Sequence, residues 1–438
     1  MAGTYAMISL GCAKNLVNSE QMLYLMDEAG YVLTGEPDGA DLVIINTCGF
    51  IDSAKSEAID NILEMAELKK AGRLGKIIVA GCLPERYKDE IAESLPEVDA
   101  FIGVGSFSEI VKACDEVMKG GSFSAFAGNS EAIDEIPRVV STGPGWAYLR
   151  IAEGCNNFCA FCAIPYIRGR YRSRNMENIL EEVRDLASHG VKEIIVIAQD
   201  ITRYGTDIYG KRCLAELCRR ISEIDGVEWI RLHYLYPDQF DDELIDEIAN
   251  NDKIVKYLDI PIQHINDGIL KAMNRKGTGE DIRQLFGKLR QRIPGVVLRT
   301  SLIAGLPREG EAEFEELCRF LREAKIERAG VFPFSPEEGT PAASMEHVSE
   351  DIARKRADII ERIQAPFMDA FYDSFAGKTI KVITEGRDEE SGLLYGRSYA
   401  DSPDIDGLVF FRGTAEEGTF ANVLIDCADS GFLYGDEV

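Results

Sequence analysis

The chain has 438 residues, of which 45% are hydrophobic and 28% are charged, as expected for a soluble globular protein with two to four domains. Its 75 acidic and 48 basic residues give a net charge of −27, which disfavours a nucleic-acid partner and favours a basic one. No apolar run approaches the roughly 18 residues of a membrane span, so the composition argues against a membrane protein.

The chain begins with a short apolar stretch at residues 5–10, which predicts a strand rather than a secretory signal, because it lacks a basic flank and a long apolar core. We therefore expect a cytoplasmic protein. In that reducing compartment the eleven cysteines are poor candidates for disulfides, and clustered cysteines more often bind metal or do chemistry.

Strand and helix patterns alternate over residues 1–110, which predicts a parallel, doubly wound sheet. The first helix is predicted to begin near Asn18 or Ser19, two good N-cap residues, and to end at Gly30. The strand predictions in this region cover residues 5–10, 41–46 and 76–80.

The rhythm returns from Trp146 with six strand patterns, too few for a closed eight-stranded barrel, so an open, partial TIM barrel of six βα units is predicted. A charged helix over about residues 349–375 follows it. Five short strands separated by Gly and Asp turns then predict a small all-β barrel from Gly377 onward. The fold class is thus α/β with a C-terminal all-β module, and the predicted boundaries are 1–121, a Gly-, Ser- and Pro-rich linker at 122–140, 141–375 and 376–438.

Three cysteines, Cys155, Cys159 and Cys162, follow the first strand of the predicted partial barrel, at the end where such barrels place their active sites. A four-iron cluster takes four thiolates, so three would leave one iron open to a small molecule. Three cysteines packed in a turn is the less favoured interpretation, because the loop starts with Gly154 and offers no apolar core.

A second set of three cysteines follows the first three predicted strands, one after each: Cys12, Cys48 and Cys82. The carboxyl ends of parallel strands share one edge of the sheet, so these side chains can converge there. They are predicted to hold a second cluster with an open iron, against the alternative of three unrelated buried cysteines. The remaining cysteines are interpreted as packing residues: Cys114, Cys213, Cys218, Cys318 and Cys427.

The CxxxCxxC spacing at 155–162 closely resembles the radical S-adenosylmethionine (SAM) enzymes. The resemblance implies that SAM binds the open iron and is cleaved to methionine and a 5′-deoxyadenosyl radical. It also implies that Phe161 lies against the adenine.

The combination of two three-cysteine sites with a terminal β-barrel resembles the methylthiotransferases, whose domain order ends in a TRAM domain. Four segments resemble the branch of that family that acts on a ribosomal protein: residues 9–20, 153–174, 198–205 and 259–273. The resemblance implies methylthiolation of an aspartate of small-subunit ribosomal protein S-twelve, giving 3-methylthioaspartate. Asn18 stands where the branch usually has Asp, and Arg308 stands where it usually has Gly.

The same resemblance implies two [4Fe-4S] clusters, SAM, a sulfur donor and an electron donor. The Cys155 cluster generates the radical, the Cys12 cluster presents sulfur, and a second SAM gives its methyl group. Strand-end candidates for holding SAM are Gln199, Asp200, Gln263, Ser301 and Gly305. His233 and His264 are not assigned a catalytic role. Four arginines after the cluster form either a solvated face or partners for a carboxylate: Arg168, Arg170, Arg172 and Arg174.

The C-terminal module helps to choose the substrate, because its thirteen acidic and five basic residues from Gly377 to Val438 give a net charge of −8. Such a module repels RNA phosphates and attracts a basic ribosomal protein. The tRNA-modifying branch, which makes 2-methylthio-N6-isopentenyladenosine, is therefore the first alternative. A non-catalytic iron–sulfur carrier or redox sensor is the second.

Overall fold

The computed structural model describes residues 3–127 and 133–438, so residues 128–132 of the predicted linker lie outside the described residues. The chain divides into two compact units. The first unit takes the chain up to Ser141 together with Glu153–Arg174 and Ser335–Ala343, and the second takes the rest. None of the helices described is both long and apolar enough to cross a bilayer.

The first unit contains a six-stranded sheet, all parallel, in the order β2-β1-β3-β4-β5-β6. Its strands are β1 Thr4–Ser9, β2 Val32–Leu33, β3 Leu42–Thr47, β4 Lys76–Gly81, β5 Ala100–Gly103 and β6 Phe123–Ala125. Its helices are α1 Ala13–Glu28, α2 Asp52–Lys70, α3 Cys82–Tyr87, α4 Asp89–Ser94 and α5 Ile110–Met118. The predicted doubly wound sheet is confirmed.

Helices cover both faces of this sheet, which explains why strand β3 is apolar and buried along its length. Leu42 and Ile44 pack into one apolar cluster with residues of α1 and α5, while Val43 and Ile45 pack into a second cluster with α2. Three short strands, β2, β5 and β6, were not predicted, and β6 falls inside the segment predicted as a linker.

The predicted start of the first helix is wrong, because α1 begins at Ala13, directly after Cys12. The carbonyl of Cys12 accepts hydrogen bonds from the backbone N–H groups of Asn15 and Leu16, at 2.8 and 3.1 Å. Asn18 is buried inside the helix rather than capping it. The helix therefore begins directly after the loop that carries Cys12, and the good capping residue Asn18 lies inside it.

Short elements flank the second cysteine motif in the chain: strand β7 Trp146–Arg150, strand β8 Ala152–Glu153, helix α6 Ile164–Ile167 and strand β9 Arg172–Ser173. Strand β7 belongs to the second unit, whereas residues 153–174 belong to the first. Ala163 and Ile167 are fully buried in the apolar cluster that also contains Cys82, so this segment is part of the core of the first unit.

The second unit contains an open parallel sheet in the order β14-β13-β12-β11-β10-β7, which confirms the predicted six-unit partial barrel. Its further strands are β10 Glu193–Ile197, β11 Trp229–Leu232, β12 Ile254–Asp259, β13 Val297–Ala304 and β14 Arg328–Pro333. Its helices are α7 Met176–Ser188, α8 Leu214–Ser222, α9 Asp242–Asn250, α10 Asp267–Ala272, α11 Gly279–Arg292, α12 Glu311–Ala324 and α13 Glu350–Asp373.

Five strands after α13 close into the predicted small barrel, in the order β15-β16-β17-β19-β18. They are β15 Thr379–Arg387, β16 Leu394–Ser398, β17 Val409–Arg412, β18 Phe420–Asp429 and β19 Phe432–Glu437. The loop after β16 packs against the parallel sheet of the same unit: Arg231 donates to the carbonyl of Tyr399 at 2.8 Å, and Arg328 donates to Asp401 at 2.6 Å. Buried charged contacts therefore join the small barrel to the sheet.

Candidate active site

The first set of cysteines lies at the carboxyl ends of three neighbouring strands. Cys12 follows β1 and precedes α1, Cys48 follows β3, and Cys82 is the first residue of α3 after β4. The loops after β1 and β3 are in contact, since a Cβ atom on Gly11 would lie only 2.8 Å from the Cβ of Cys48. The structure thus brings these three loops to one edge of the sheet.

One buried side chain, Asn15, ties the same three loops together. Its Nδ2 donates to the carbonyls of Leu10 at 3.0 Å and Thr47 at 2.9 Å, which precede Cys12 and Cys48 in their loops. Its Oδ1 lies 3.7 Å from the Sγ of Cys82. Sequence reasoning missed this role, although Asn15 lies within the motif at residues 9–20.

The charges around the three thiols differ. Although Cys12 is exposed, the atoms packed around its sulfur disfavour the thiolate form. The positive charges of Lys14 and Arg168, together with backbone N–H groups, outweigh this effect and lower the pKa of Cys12. Burial and the neighbouring Cys82 raise the pKa of Cys48 to about 11, and burial also raises the pKa of Cys82. A metal cluster held by these thiols would displace their protons, so its binding would be coupled to pH.

The second set of cysteines lies on the loop between β8 and α6 of the first unit. Gly154 opens this loop with φ +76°, and a Cβ atom there would come within 2.2 Å of the Arg170 carbonyl, so only glycine fits. The backbone N–H of Cys155 donates to the Gly169 carbonyl at 3.1 Å, and that of Cys162 to the Cys159 carbonyl at 3.0 Å. Cys159 is buried, whereas Cys155, Cys162 and Phe161 are half-buried.

Each cysteine set offers three free thiols, which are the donor type that an iron–sulfur cluster takes. Across residues 3–127 and 133–438, no three cysteine, histidine or acidic side chains have the arrangement that would hold a single ion. A four-iron cluster is larger, and each of its irons takes its own thiolate. In the first set the thiol of Cys82 is hydrogen-bonded to Asn15, and in the second set the sulfur of Cys155 accepts a hydrogen bond from the backbone N–H of Asn157.

Two of the four arginines after the second cysteine motif are buried, so the solvated-face interpretation is wrong for them. Arg168 is 1% exposed and donates to Glu153 at 2.9 Å and to Asn15 at 2.7 Å, while Arg174 donates to Glu135 at 2.9 Å. Arg172 is half-buried, and only Arg170 is exposed. Which arginine is buried cannot be read from the sequence, because all four follow one another at the same alternate spacing.

Among the predicted SAM contacts of the second unit, Gln263 and Ser301 are neighbours. The backbone N–H of Gln263 donates to the Ser301 carbonyl at 2.9 Å, and both residues are half-buried. Gln263 has φ +70°, which is unusual for a residue other than glycine. Strained backbone of this kind is concentrated at functional sites, so the observation agrees with a binding role at the end of β12.

The other predicted SAM contacts differ in how deeply they are buried. Asp200 is fully buried, and its carboxylate accepts hydrogen bonds from the Thr202 backbone at 3.1 Å and the Arg203 side chain at 3.0 Å. Gln199 beside it is half-buried. Gly305 has φ +82°, and its backbone N–H donates to Glu309 at 2.9 Å. Asp200 thus shapes the loop after β10, whereas Gln199 is the more accessible of the two.

The two barrel histidines are buried and hydrogen-bonded within the second unit. His233 Nε2 lies 3.1 Å from the hydroxyl of Ser402, a residue of the loop after β16. His264 Nδ1 accepts from the Asn266 backbone at 3.0 Å, and its Nε2 lies 3.3 Å from Glu309. Of the five cysteines interpreted as packing residues, four are buried, but Cys427 is exposed on β18, so that interpretation is wrong for it.

Three family descriptions match successive parts of the chain. Residues 4–103 match the uncharacterized protein family UPF0004, residues 149–321 match the Radical SAM superfamily, and residues 376–438 match the TRAM domain. Among solved structures, the fold is similar to that of the radical S-adenosylmethionine methyltransferase TsrM from Kitasatospora setae. The TM-score is 0.59 at 14% identity, over 78% of this chain and 77% of that one. The chain is thus a radical SAM enzyme, and this class uses SAM and a [4Fe-4S] cluster.

Relatives define the family more narrowly. The chain is 46% identical to the ribosomal protein uS12 methylthiotransferase RimO of Acetivibrio thermocellus, over 98% of this chain and 97% of that protein. It is 48% identical to the protein of the same name from Caldanaerobacter subterraneus subsp. tengcongensis, over 98% of each. The chain belongs to the RimO family of ribosomal protein uS12 methylthiotransferases.

Proposed function

We propose that the chain replaces a β-hydrogen of one aspartate of ribosomal protein uS12 with a methylthio group, and that it does so in the cytoplasm. The observation that carries the proposal is the relation to uS12 methylthiotransferases over 98% of the chain. The two three-cysteine sets support it, because the reaction needs both a radical generator and a place for sulfur.

The reacting C–H bond explains the need for a radical cofactor. It is unactivated, so no side-chain base can remove its proton at neutral pH. When bound at Cys155, Cys159 and Cys162, a reduced [4Fe-4S] cluster supplies the electron that cleaves SAM to the hydrogen-abstracting radical. The half-buried Phe161 of the first unit is proposed to contact SAM. In the second unit, the neighbouring residues Gln263 and Ser301 are also proposed as SAM contacts.

The remaining candidate residues are proposed to hold the second cluster and to contact SAM. Cys12, Cys48 and Cys82 are proposed to hold a second cluster, which would supply the sulfur atom that the product gains. Within the second unit, Gln199, Asp200 and Gly305 are proposed as further SAM contacts, Asp200 by fixing its loop through Thr202 and Arg203. A sulfur donor and an electron donor are required as partners, because the product gains a sulfur atom and each SAM cleavage consumes an electron.

The surface of the small barrel supports a basic protein partner. Seven of its thirteen acidic side chains are exposed: Glu389, Glu390, Asp404, Glu416, Glu417, Asp426 and Asp429. The others include Asp401, whose charge is directed toward the buried Arg328. The exposed carboxylates repel a phosphate backbone and attract the lysines and arginines of a ribosomal protein. This charge distribution favours uS12 over tRNA as the substrate.

A paired assay tests the proposal. The anaerobically reconstituted chain is incubated with SAM, sulfide and a reductant, with recombinant uS12 in one tube and isopentenylated tRNA in the other. Mass spectrometry is expected to show a methylthio gain on one aspartate of uS12 and none on the tRNA. A gain on the tRNA alone would assign the chain to the other substrate class. Formation of neither a methylthio product nor 5′-deoxyadenosine would support a non-catalytic carrier.

A further inference from the structure

Arg168 is a buried cation on the segment that carries the second cysteine set, and it contacts the first set. It follows α6, six residues after Cys162, and its guanidinium reaches Cys82, with Nη2 3.4 Å from Sγ. The same nitrogen donates to Asn15 Oδ1 at 2.7 Å, and Nη1 donates to Glu153 Oε2 at 2.9 Å. A side chain from the segment of the second cysteine motif thus contacts a cysteine of the first set.

Burial makes this contact electrostatically important. Arg168 and Glu153 are 1% and 4% exposed, so their charges are little screened by water. A four-iron cluster with three thiolate ligands carries net negative charge, and reduction adds another electron to it. A nearby cation and an N–H···S hydrogen bond therefore stabilise the reduced form and raise the reduction potential, while a nearby carboxylate has the opposite effect.

We propose that Arg168 and Glu153 are a pair of positioning residues that set the reduction potential of the cluster held by Cys12, Cys48 and Cys82. Arg168 raises this potential through its contact with Cys82, and Glu153 moderates the effect by partly neutralising Arg168. The inference rests on the proposed second cluster, for which iron content gives a separate test.

The link through Asn15 adds a geometric part to the proposal. Asn15 connects the guanidinium to the carbonyls of Leu10 and Thr47, so Arg168 is held against all three loops of the first set. A lysine at position 168 would keep the positive charge but would lose the two guanidinium nitrogens that contact Asn15 and Glu153. Arg168→Lys is therefore expected to give a potential between those of the parent chain and a neutral variant.

The test uses the full-length chain with Cys155, Cys159 and Cys162 all replaced by alanine, so that a single cluster titrates. After anaerobic reconstitution, iron content and the midpoint potential, followed by electron paramagnetic resonance, are measured for Arg168→Met and Glu153→Gln. Arg138→Met is the matched control, because it removes another buried arginine–glutamate pair of this unit, the one with Glu20.

The two variants are expected to shift the potential in opposite directions. Arg168→Met should lower the ratio of reduced to oxidised cluster at a fixed potential at least tenfold, about 59 mV for one electron. Glu153→Gln should raise the ratio of reduced to oxidised cluster, and Arg138→Met should leave this ratio unchanged.

Three results would overturn the proposal. The first is an unchanged midpoint potential in an Arg168→Met variant that retains its iron. The second is a shift of the potential in the same direction in both variants. The third applies if Arg168→Met holds no iron, and it is the absence of a rise in the potential of Glu153→Gln. A parent chain that binds no iron would instead refute the second cluster itself.

Discussion

Glu193, the first residue of β10, accepts a hydrogen bond at 2.7 Å from Arg397 of β16, and both side chains are fully buried. The other oxygen of Glu193 accepts from Arg231 of β11, also at 2.7 Å. One carboxylate thus bridges two buried cations, one from the parallel sheet and one from the small barrel, and Arg397 also donates to Glu385 at 2.6 Å. The buried charges fix how the β-barrel packs on the sheet within the second unit.

Removing the carboxylate of Glu193 should destabilise the chain strongly, because it would leave Arg231 and Arg397 without their shared anion. Glu193→Gln is expected to lower the free energy of unfolding by about 3–5 kcal/mol, measured by chemical denaturation. The control is Glu228→Gln, which breaks the exposed pair with Lys381 and should cost less than about 1 kcal/mol. Equal losses in both variants would contradict the role assigned to the buried carboxylate.

Glu193 should also make the free energy of unfolding depend on pH in the acidic range. Burial opposes ionisation of Glu193, but Arg397 and Arg231 outweigh it and hold the pKa of this carboxyl below its ordinary value of 4.5. Its stabilising contribution is therefore complete above the unfolded-state pKa and is lost as pH falls through the lower folded-state pKa. The difference in unfolding free energy between wild type and Glu193→Gln should be constant from about pH 6 to 8 and shrink below about pH 4.5. A difference that grows on acidification would refute the pairing.

Arg308 has a strained backbone conformation. Its φ of +71° lies in the left-handed region that glycine adopts without cost. Arg308→Gly should therefore be more stable than Arg308→Ala by about 0.5–1 kcal/mol, after the greater freedom of glycine in the unfolded chain is counted. Comparing the two variants by thermal unfolding removes the effect of the lost charge, and an alanine variant as stable as the glycine variant would exclude backbone strain.

Gly305 cannot carry a side chain in this fold. Its φ is +82°, and a Cβ atom would lie 2.6 Å from the Cβ of Ala353 in α13. Gly305→Ala is expected to destabilise the chain by about 2 kcal/mol or more and to weaken SAM binding, measured by equilibrium dialysis. Gly287→Ala in α11 is the control, since no atom lies within 4 Å of the added Cβ, and it should be neutral or stabilising. Unchanged stability and SAM binding in Gly305→Ala would disprove the close packing.

The architecture could be predicted from the sequence because each apolar strand, such as β3, is an unbroken run of neighbouring apolar residues. The cysteine positions were predictable for the same reason, since each of Cys12, Cys48 and Cys82 follows such a strand. The contacts of Asn15 with Thr47, of Arg168 with Asn15 and of Glu193 with Arg397 were not predictable, because they join residues between 32 and 204 positions apart in the chain. Nothing local distinguishes a buried arginine such as Arg168 from the exposed Arg170 two residues later.

The most direct test of the division of work between the two cysteine sets is product analysis of two triple variants given SAM, sulfide, reductant and uS12. Replacing Cys155, Cys159 and Cys162 with alanine should abolish 5′-deoxyadenosine formation. Replacing Cys12, Cys48 and Cys82 should leave 5′-deoxyadenosine formation intact and abolish the methylthio gain on uS12. Methylthiolated uS12 from the second variant would contradict the account, because it would show that sulfur reaches the substrate without the first set of cysteines.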